Sequence, residues 1–280
     1  MFSYRHAFHA GNHADVLKHI LLLQLLDYFN QKDKPYLLID THAGAGLYAL
    51  DQGYAQQNAE YRDGIGRLAA ASRLSPALDA LLALVRDCND TPEIRIYPGS
   101  PVIALRRLRA SDRLRLFEMH PTDTDILRQN MAAAGRQVKV ETSDGFAGLR
   151  ALLPPPTRRA LVLIDPPYED KDDYQTVVRA LKDGLSRFAS GTFAVWYPLL
   201  QRHEPLRMVE TLTRLGCDWL DVRLQVSRPA AGGFGMFGSG MFILNPPWTF
   251  PALLKGIMPE LVRLLAQDDA AGYHLDDRIA

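Results

Sequence analysis

The chain has 280 residues, 47% of them hydrophobic and 23% charged, and it carries 32 acidic and 32 basic side chains. This composition is typical of a globular protein with one large α/β domain and an insertion, or with two small domains. Zero net charge counts against the strongly basic character of many nucleic-acid binders. The first residues lack the apolar stretch of a signal peptide, and no apolar run is long enough to cross a membrane. We therefore expect a cytoplasmic protein.

The cysteines and histidines do not predict a metal or disulfide site. Cys88 and Cys217 are far apart and lack CxxC spacing, so neither a disulfide framework nor a zinc site is indicated. The histidines of residues 4–19 are not accompanied by cysteine and lack the H-E-x-x-H spacing of a metal-binding helix. We expect no metal.

The predicted elements begin with a helix after Asn12, with Asp15 in a capping-box-like position and an apolar run over 16–26. A buried strand follows at 35–40. Later strands are predicted at 114–118, 138–141, 160–165, 193–197, 219–226 and 240–245. Helical stretches separate most of these, which predicts right-handed βαβ units and a mainly parallel sheet. The last two strands are joined by a glycine-rich connection and are expected to form an antiparallel pair.

The stretch 52–97 interrupts the regular alternation. It contains the apolar helical runs 68–71 and 78–85, and Pro98-Gly99-Ser100-Pro101 returns the chain to the main fold, with Pro101 well placed as a first helical residue. We therefore predict an inserted helical subdomain at 52–97 and a main domain formed by 1–51 and 98–280. Residues 1–30 form the N-terminal segment and helix of that domain.

A glycine-containing loop, DTHAGAG at 40–46, follows the first strand and is expected to open a helix. Gly44 and Gly46 let the backbone approach a ligand closely, although a tight turn without a ligand has the same pattern. Asp40 would repel a pyrophosphate but suits a sulfonium cofactor with a free amino group. No strand-ending acid lies at the distance of about 20 residues that a nicotinamide site needs. S-adenosylmethionine is therefore favoured over NAD.

Two later strand ends supply further cofactor candidates. Glu118 ends the second strand of the main fold and can accept hydrogen bonds from both ribose hydroxyls. Ser143-Asp144-Gly145-Phe146 follows the third strand and offers a carboxylate for the adenine amine and an aromatic face for stacking.

The strongest signal is Asp165-Pro166-Pro167-Tyr168, directly after the apolar run 160–164. Ligands bind at the carboxyl ends of such strands. The N6 amine of adenine is a poor nucleophile, and acceptors for its two hydrogens, the Asp165 carboxylate and the Pro166 carbonyl, would aim its lone pair. Proline fixes φ and holds that carbonyl in place, and Tyr168 would stack on a flipped base. A rigid turn is the alternative.

A second tetrapeptide, Asn245-Pro246-Pro247-Trp248, has similar chemistry. It ends a strand that should run antiparallel to its neighbours and so point away from the cofactor edge. We predict that it is a structural turn.

Basic residues are densest at 106–115, in Arg106, Arg107, Arg109, Arg113 and Arg115. Both a phosphate-binding face and a solvated surface fit this cluster.

With these motifs assembled, the chain closely resembles the bacterial RlmJ family, which methylates N6 of adenine 2030 in 23S ribosomal RNA. The resemblance covers nearly the whole length and rests on YRHAFHAGNHADVLKH at 4–19, DTHAGAG at 40–46, YPGSP at 97–101, SDGF at 143–146 and DPPY at 165–168. It implies an α/β, Rossmann-like, S-adenosylmethionine-dependent methyltransferase fold with a mainly parallel sheet, an antiparallel last strand and a small inserted helical subdomain. It also implies cofactor contacts at His19, His42, Ser100, Glu118, Asp144, Gly145 and Asp165.

The same resemblance implies that Asp165 is catalytic and that Tyr4 lies beside the target nucleotide. We add His6 and Lys18 as predicted substrate RNA contacts, and we expect a monomer. The alternatives are a DNA adenine-N6 methyltransferase, a non-catalytic RNA-binding assembly factor and, more distantly, a dehydrogenase.

Overall fold

The computed structural model describes residues 6–279. Its strands are β1 (Leu37–Asp40), β2 (Leu47–Ala49), β3 (Ile96–Pro98), β4 (Arg113–Phe117), β5 (Val138–Glu141), β6 (Ala160–Ile164), β7 (Thr192–Leu199), β8 (Trp219–Gln225), β9 (Gly238–Leu244) and β10 (Gly272–Arg278). Its α-helices are α1 (His13–Asn30), α2 (Gly53–Asn58), α3 (Ile65–Ala70), α4 (Pro76–Arg86), α5 (Ser100–Arg107), α6 (Pro121–Met131), α7 (Gly145–Leu152), α8 (Asp172–Arg187), α9 (Glu204–Leu212) and α10 (Phe250–Leu265). None of these described helices is long and apolar enough to cross a membrane.

Eight of the strands form one sheet in the order β10-β8-β9-β7-β6-β1-β4-β5. The five from β7 to β5 are parallel, whereas β9 runs antiparallel to both β7 and β8. The strand order reverses between β1 and β6, which is the switch point where doubly wound sheets bind ligands. The predicted Rossmann-like sheet and the antiparallel β8–β9 pair are confirmed.

The prediction that the strand near 240–245 is the last one is wrong. A further strand, β10, runs antiparallel to β8 at the edge of the sheet. It is largely exposed and reads GYHLDDR, so it lacks the apolar pattern that revealed the buried strands.

Helix α1 packs against the sheet and carries polar residues in its first two turns. The Asn12 side chain caps it by accepting hydrogen bonds from the backbone N–H groups of Ala14 and Asp15. The helix packs against β9, α4 and α5, and its apolar residues over 16–26 are buried almost all round. Each fully buried leucine contributes about 1.5–3 kcal/mol, so this helix is a rigid base for the polar residues of its first two turns.

The loop after β1 does not open a helix, contrary to the prediction. Gly44 and Gly46 have φ of +61° and +84°, a left-handed conformation that reverses the chain into β2. Strand β2 pairs with β3, and helices α2, α3 and α4 lie between these two strands in the sequence. A Cβ at Gly44 would also clash with the Tyr48 hydroxyl.

Candidate active site

A cavity of about 320 Å³ lies at the carboxyl ends of the parallel strands, around the switch point. The predicted site residues that line it are His6, Lys18, His19, His42, Gly44, Ser100, Glu118, Asp144, Gly145, Phe146, Asp165 and Pro166. Residues far apart in the sequence therefore meet in one cavity. Tyr4, predicted to lie beside the target nucleotide, falls outside the described residues.

Asp40 and Gly46 do not line the cavity, so their predicted direct cofactor contacts are not supported. The Asp40 carboxylate is buried, and it accepts hydrogen bonds from Ser100 Oγ at 2.6 Å and from the His42 backbone N–H at 3.2 Å. Burial raises the pKa of Asp40 to about 6. The Gly46 carbonyl accepts the Gly99 backbone N–H at 2.8 Å. Both residues hold the loop 40–46 against the start of α5.

Glu118 lines the cavity directly after β4. Its two carboxylate oxygens accept the backbone N–H groups of Gly44 at 2.9 Å and His120 at 2.7 Å. Burial raises the pKa of Glu118. These two bonds fix the carboxylate, and each oxygen keeps a lone pair that can accept from a hydroxyl.

Asp144, Gly145 and Phe146 form the neighbouring wall at the start of α7. The Asp144 carboxylate accepts the Phe146 backbone N–H at 2.9 Å, and a side chain at Gly145 would clash with the Thr41 carbonyl. The Phe146 ring meets His42 edge to face at 5.1 Å. Burial lowers the pKa of His42 to about 4, so this imidazole is neutral near pH 7.

Lys18 and Asp165 also line the cavity, where the Lys18 ammonium lies 2.6 Å from Asp165 Oδ2 and 2.9 Å from Asp15 Oδ1. Burial alone would lower the pKa of Lys18, but the two carboxylates outweigh it and hold the pKa well above its usual value. Lys18 therefore stays charged and binds one oxygen of Asp165.

Asp15 is the site residue that sequence reasoning missed. It is 2% exposed, and its Oδ2 accepts the Gly11 backbone N–H at 2.9 Å and lies 2.9 Å from His6 Nε2. Burial alone would raise its pKa, but His6 and Lys18 hold the pKa well below its usual value. The spacing of Asp15 and Lys18, three residues apart on one helix, was the available signal.

His19 is buried beside this group and fixed from the other side. Its Nδ1 lies 2.7 Å from the Tyr97 hydroxyl, and the two rings stack at 5.5 Å. Burial lowers the pKa of His19 to about 3, so it is neutral. Tyr97 belongs to β3, so this short strand supports the cavity through His19.

Tyr168 does not face the cavity, and the predicted stacking of its ring on a base is wrong for this conformation. Its backbone is left-handed, with φ of +52°, and its side chain is 3% exposed. The hydroxyl donates to the Trp196 carbonyl at 2.7 Å, and the ring stacks on Tyr174 at 4.5 Å. The buried Tyr168 side chain fixes the turn to the core, while Pro166 and Pro167 line the cavity.

The Asn245-Pro246-Pro247-Trp248 segment is a structural turn, as predicted. The Asn245 side-chain amide donates to the carbonyls of Ala189 and Gly191, at 2.8 and 2.7 Å. These carbonyls precede β7, so the segment lies at the edge of the sheet opposite the cavity.

The arginine cluster at 106–115 also lies away from the cavity, because Arg113 begins β4 rather than ending it. The Arg109 guanidinium donates to both carboxylate oxygens of buried Asp112, at 2.9 and 3.0 Å, and to the Lys32 carbonyl. This geometry favours a structural role for Arg109 over phosphate binding.

Known proteins are similar to this chain over most of its length. Residues 33–278 match the family described as Ribosomal RNA large subunit methyltransferase D, RlmJ. Proteins named Ribosomal RNA large subunit methyltransferase J are similar to this chain: the one from Escherichia coli K12 is 45% identical over 93% of each chain, and the one from Haemophilus influenzae is 42% identical over 99% of this chain and 98% of its own.

A crystal structure of a related protein has the same fold. It is a protein of Legionella pneumophila strain Philadelphia 1, 34% identical, with a TM-score of 0.88 over 95% of this chain and 97% of its own. The family match covers most of the chain, and the sequence identity with the relatives extends over nearly its full length. The chain belongs to the RlmJ family of ribosomal RNA large subunit methyltransferases.

Proposed function

We propose that this protein transfers the methyl group of S-adenosylmethionine to the N6 amine of a specific adenine in 23S ribosomal RNA. One observation carries the proposal: a single cavity joins a ribose-binding carboxylate, Glu118, to an amine-orienting carboxylate, Asp165. The relatives named above are ribosomal RNA methyltransferases, which supports the substrate class.

The residues present fit the cofactor. Glu118 would accept the two ribose hydroxyls, Asp144 the adenine amine, and Phe146 would pack on the adenine ring. Ser100, His19 and His42 would surround the methionine part, where neutral imidazoles can each donate or accept a hydrogen bond. When bound, S-adenosylmethionine supplies an electrophilic methyl group on its sulfonium.

The protein's part in the reaction is to orient the amine. The N6 lone pair is delocalised into the adenine ring, so the nitrogen must be drawn toward tetrahedral geometry. Lys18 already binds Asp165 Oδ2, which leaves Oδ1 to accept one amine hydrogen while the Pro166 carbonyl accepts the other. Preorganised acceptors of this kind contribute to catalysis by positioning and electrostatics.

The N-terminal segment would cover the base. His6 lines the cavity and is tied to Asp15, so it is placed to contact the nucleotide, and Tyr4 is proposed to lie beside it. In this proposal 1–51 and 98–280 form the methyltransferase domain, and 52–97 is an inserted subdomain that supports His19 through Tyr97. We further propose that the protein is a monomer and that, because its substrate is ribosomal RNA, it acts in the cytoplasm.

The test is methyl transfer from labelled cofactor. We expect label on deproteinised ribosomal RNA and not on duplex DNA, and a methylated adenine in ribosomal RNA that is missing from cells without the gene. Label on DNA alone would favour a DNA methyltransferase. RNA binding with no transfer to any RNA would favour an assembly factor.

A further inference from the structure

The connection between β8 and β9, residues 226–237, projects an exposed aromatic ring. We call it the Gly-rich loop. Its base is fixed, because the Val226 backbone N–H donates to the Phe237 carbonyl at 2.9 Å and the Phe237 N–H donates to the Leu199 carbonyl at 3.1 Å. Its tip, residues 230–235, is exposed, and Phe234 is 87% exposed. Gly233 and Gly235 turn the chain around Phe234 with φ of +75° and +91°.

The Gly-rich loop lies at the same edge of the sheet as the cavity. Strand β8 runs antiparallel to β9, which runs antiparallel to β7, so β8 ends at the carboxyl edge of the parallel strands. Strands β7, β9 and β8 follow β6 in order across the sheet. With strands about 4.8 Å apart, the loop is two to three spacings, roughly 10–14 Å, from the strand that carries Asp165. Nucleotides flanking a base bound at Asp165 would reach this distance.

The surroundings of the loop suit single-stranded RNA. The Gln201 side chain donates to the Ala230 carbonyl at 2.9 Å and joins the loop to the end of β7. Arg202 and His203, the next residues, are exposed. Proteins bind single strands by stacking bases on aromatic rings beside cations that contact phosphate. A mostly exposed phenylalanine on a glycine-rich support provides such a stacking surface.

We propose that Phe234 stacks on an unpaired nucleotide close to the target adenine, with Arg202 contacting the neighbouring phosphate. This inference rests on the proposed methylation of ribosomal RNA, and it names a second RNA contact outside the cavity. The ring sets the position of the RNA strand, while Asp165 acts on the target base.

The chain offers a matched control. Trp248 is also strongly exposed, at 73%, but it lies at the opposite edge of the sheet. The full-length protein is compared as wild type, Phe234→Ala, Phe234→Trp and Trp248→Ala. The measurements are direct binding to deproteinised 23S RNA and to a single-stranded oligoribonucleotide, steady-state methylation, and S-adenosylmethionine binding.

Phe234→Ala should weaken RNA binding and raise KM for RNA by roughly tenfold, as expected for loss of one stacked base. Its kcat and its cofactor affinity should be unchanged. Phe234→Trp should restore binding, and Trp248→Ala should match wild type.

Equal RNA affinities for Phe234→Ala and Trp248→Ala would overturn the proposal, as would a change in self-association for Phe234→Ala without a change in RNA binding. Wild type that binds RNA but methylates none would instead refute the proposed function, and the binding comparison would still test Phe234.

Discussion

The Lys18 ammonium lies 2.6 Å from Asp165 Oδ2, although the two residues are 147 positions apart. Lys18 lies on α1 and Asp165 follows β6, so packing of that helix below the sheet creates the pair. The ammonium also binds Asp15 at 2.9 Å. A buried cation between two carboxylates restricts Asp165 to one orientation.

The first prediction concerns Asp165. Asp165→Ala removes the acceptor that orients the amine, so methyl transfer should fall by a factor of about 100 or more. Cofactor affinity should change much less, because Glu118 and Asp144 are untouched. Single-turnover transfer onto ribosomal RNA and calorimetric titration of the cofactor measure the two effects separately.

Asn245→Ala is the matched control, since it alters the other Pro-Pro tetrapeptide. It loses the hydrogen bonds to Ala189 and Gly191, which should reduce stability by about 1–3 kcal/mol and leave the turnover of folded protein intact. Full activity in Asp165→Ala, with loss of activity in folded Asn245→Ala, would contradict this prediction. It would place the reaction at Asn245 instead of Asp165.

The second prediction identifies Asp15 as a positioning residue. Asp15→Asn keeps an acceptor for the Gly11 N–H but removes the charge that holds Lys18 and His6. We expect a lower kcat with a smaller change in KM for the cofactor, because Lys18 loses the second carboxylate that fixes its position against Asp165. The pH dependence of kcat should also change, which a purely structural role would not produce.

Glu60→Gln is the control for Asp15→Asn. Glu60 is also a carboxylate paired with a histidine of the N-terminal segment, His9, at 2.9 Å, but it does not line the cavity. Glu60→Gln should leave the pH dependence of kcat unchanged. The same change in profile for both variants would contradict a specific role for Asp15.

The third prediction concerns the cofactor. S-adenosylmethionine at 100 times its Kd should stabilise the protein by about 2.7 kcal/mol, measured as a rise in Tm. NAD should cause no rise in Tm. Glu118→Gln should reduce this shift, because an amide cannot accept two hydroxyls as an ionised carboxylate does.

Glu141→Gln is the control for Glu118→Gln. Glu141 ends β5 and is paired with Phe117 of β4, and it is not among the described residues that line the cavity. A Tm shift from NAD, with none from S-adenosylmethionine, would remove the methyltransferase proposal.

The sequence predicted the parts of the site that are local. Apolar strands that end in Asp40, Glu118 and Asp165 revealed the carboxyl edge, because strand burial and loop polarity are visible over a few residues. Parallel strands then bring these ends together.

The long-range contacts were not predictable in the same way. The role of Asp15 depends on a contact between Lys18 and a residue 147 positions away, and the inward turn of Tyr168 depends on a backbone φ of +52°. Neither leaves a periodic pattern. Asp15 was assigned only a helix-capping position because that interaction is local.

The fourth prediction concerns pH and stability. Burial lowers the pKa of His13 to about 4 from 6.5, so the unfolded chain binds a proton between these values that the folded protein does not bind. Stability from this residue is therefore present above pH 6.5 and is lost as the pH falls toward 4, by up to about 1.4 kcal/mol per pH unit. His13→Gln should become more stable relative to wild type over this range, measured by denaturant unfolding at several pH values. A constant difference from pH 7 to pH 4 would show that His13 is not buried in its neutral form.

The fifth prediction concerns how a protein with zero net charge binds RNA. Replacing Arg106, Arg107 and Arg109 with alanine should not change the slope of log affinity against log salt concentration, because these residues lie at the edge opposite the cavity. It should instead destabilise the fold by about 3 kcal/mol or more, because buried Asp112 loses its charge partner.

Arg202→Ala is the matching substitution at the cavity edge. One lost phosphate contact should make the slope shallower by about 0.7, the value for a single strand, with no comparable loss of stability. Salt titrations of wild type and both variants on one 23S RNA fragment decide between the two edges. A shallower slope in the triple variant, with Arg202→Ala equal to wild type, would move the RNA-binding face to the amino ends of the strands.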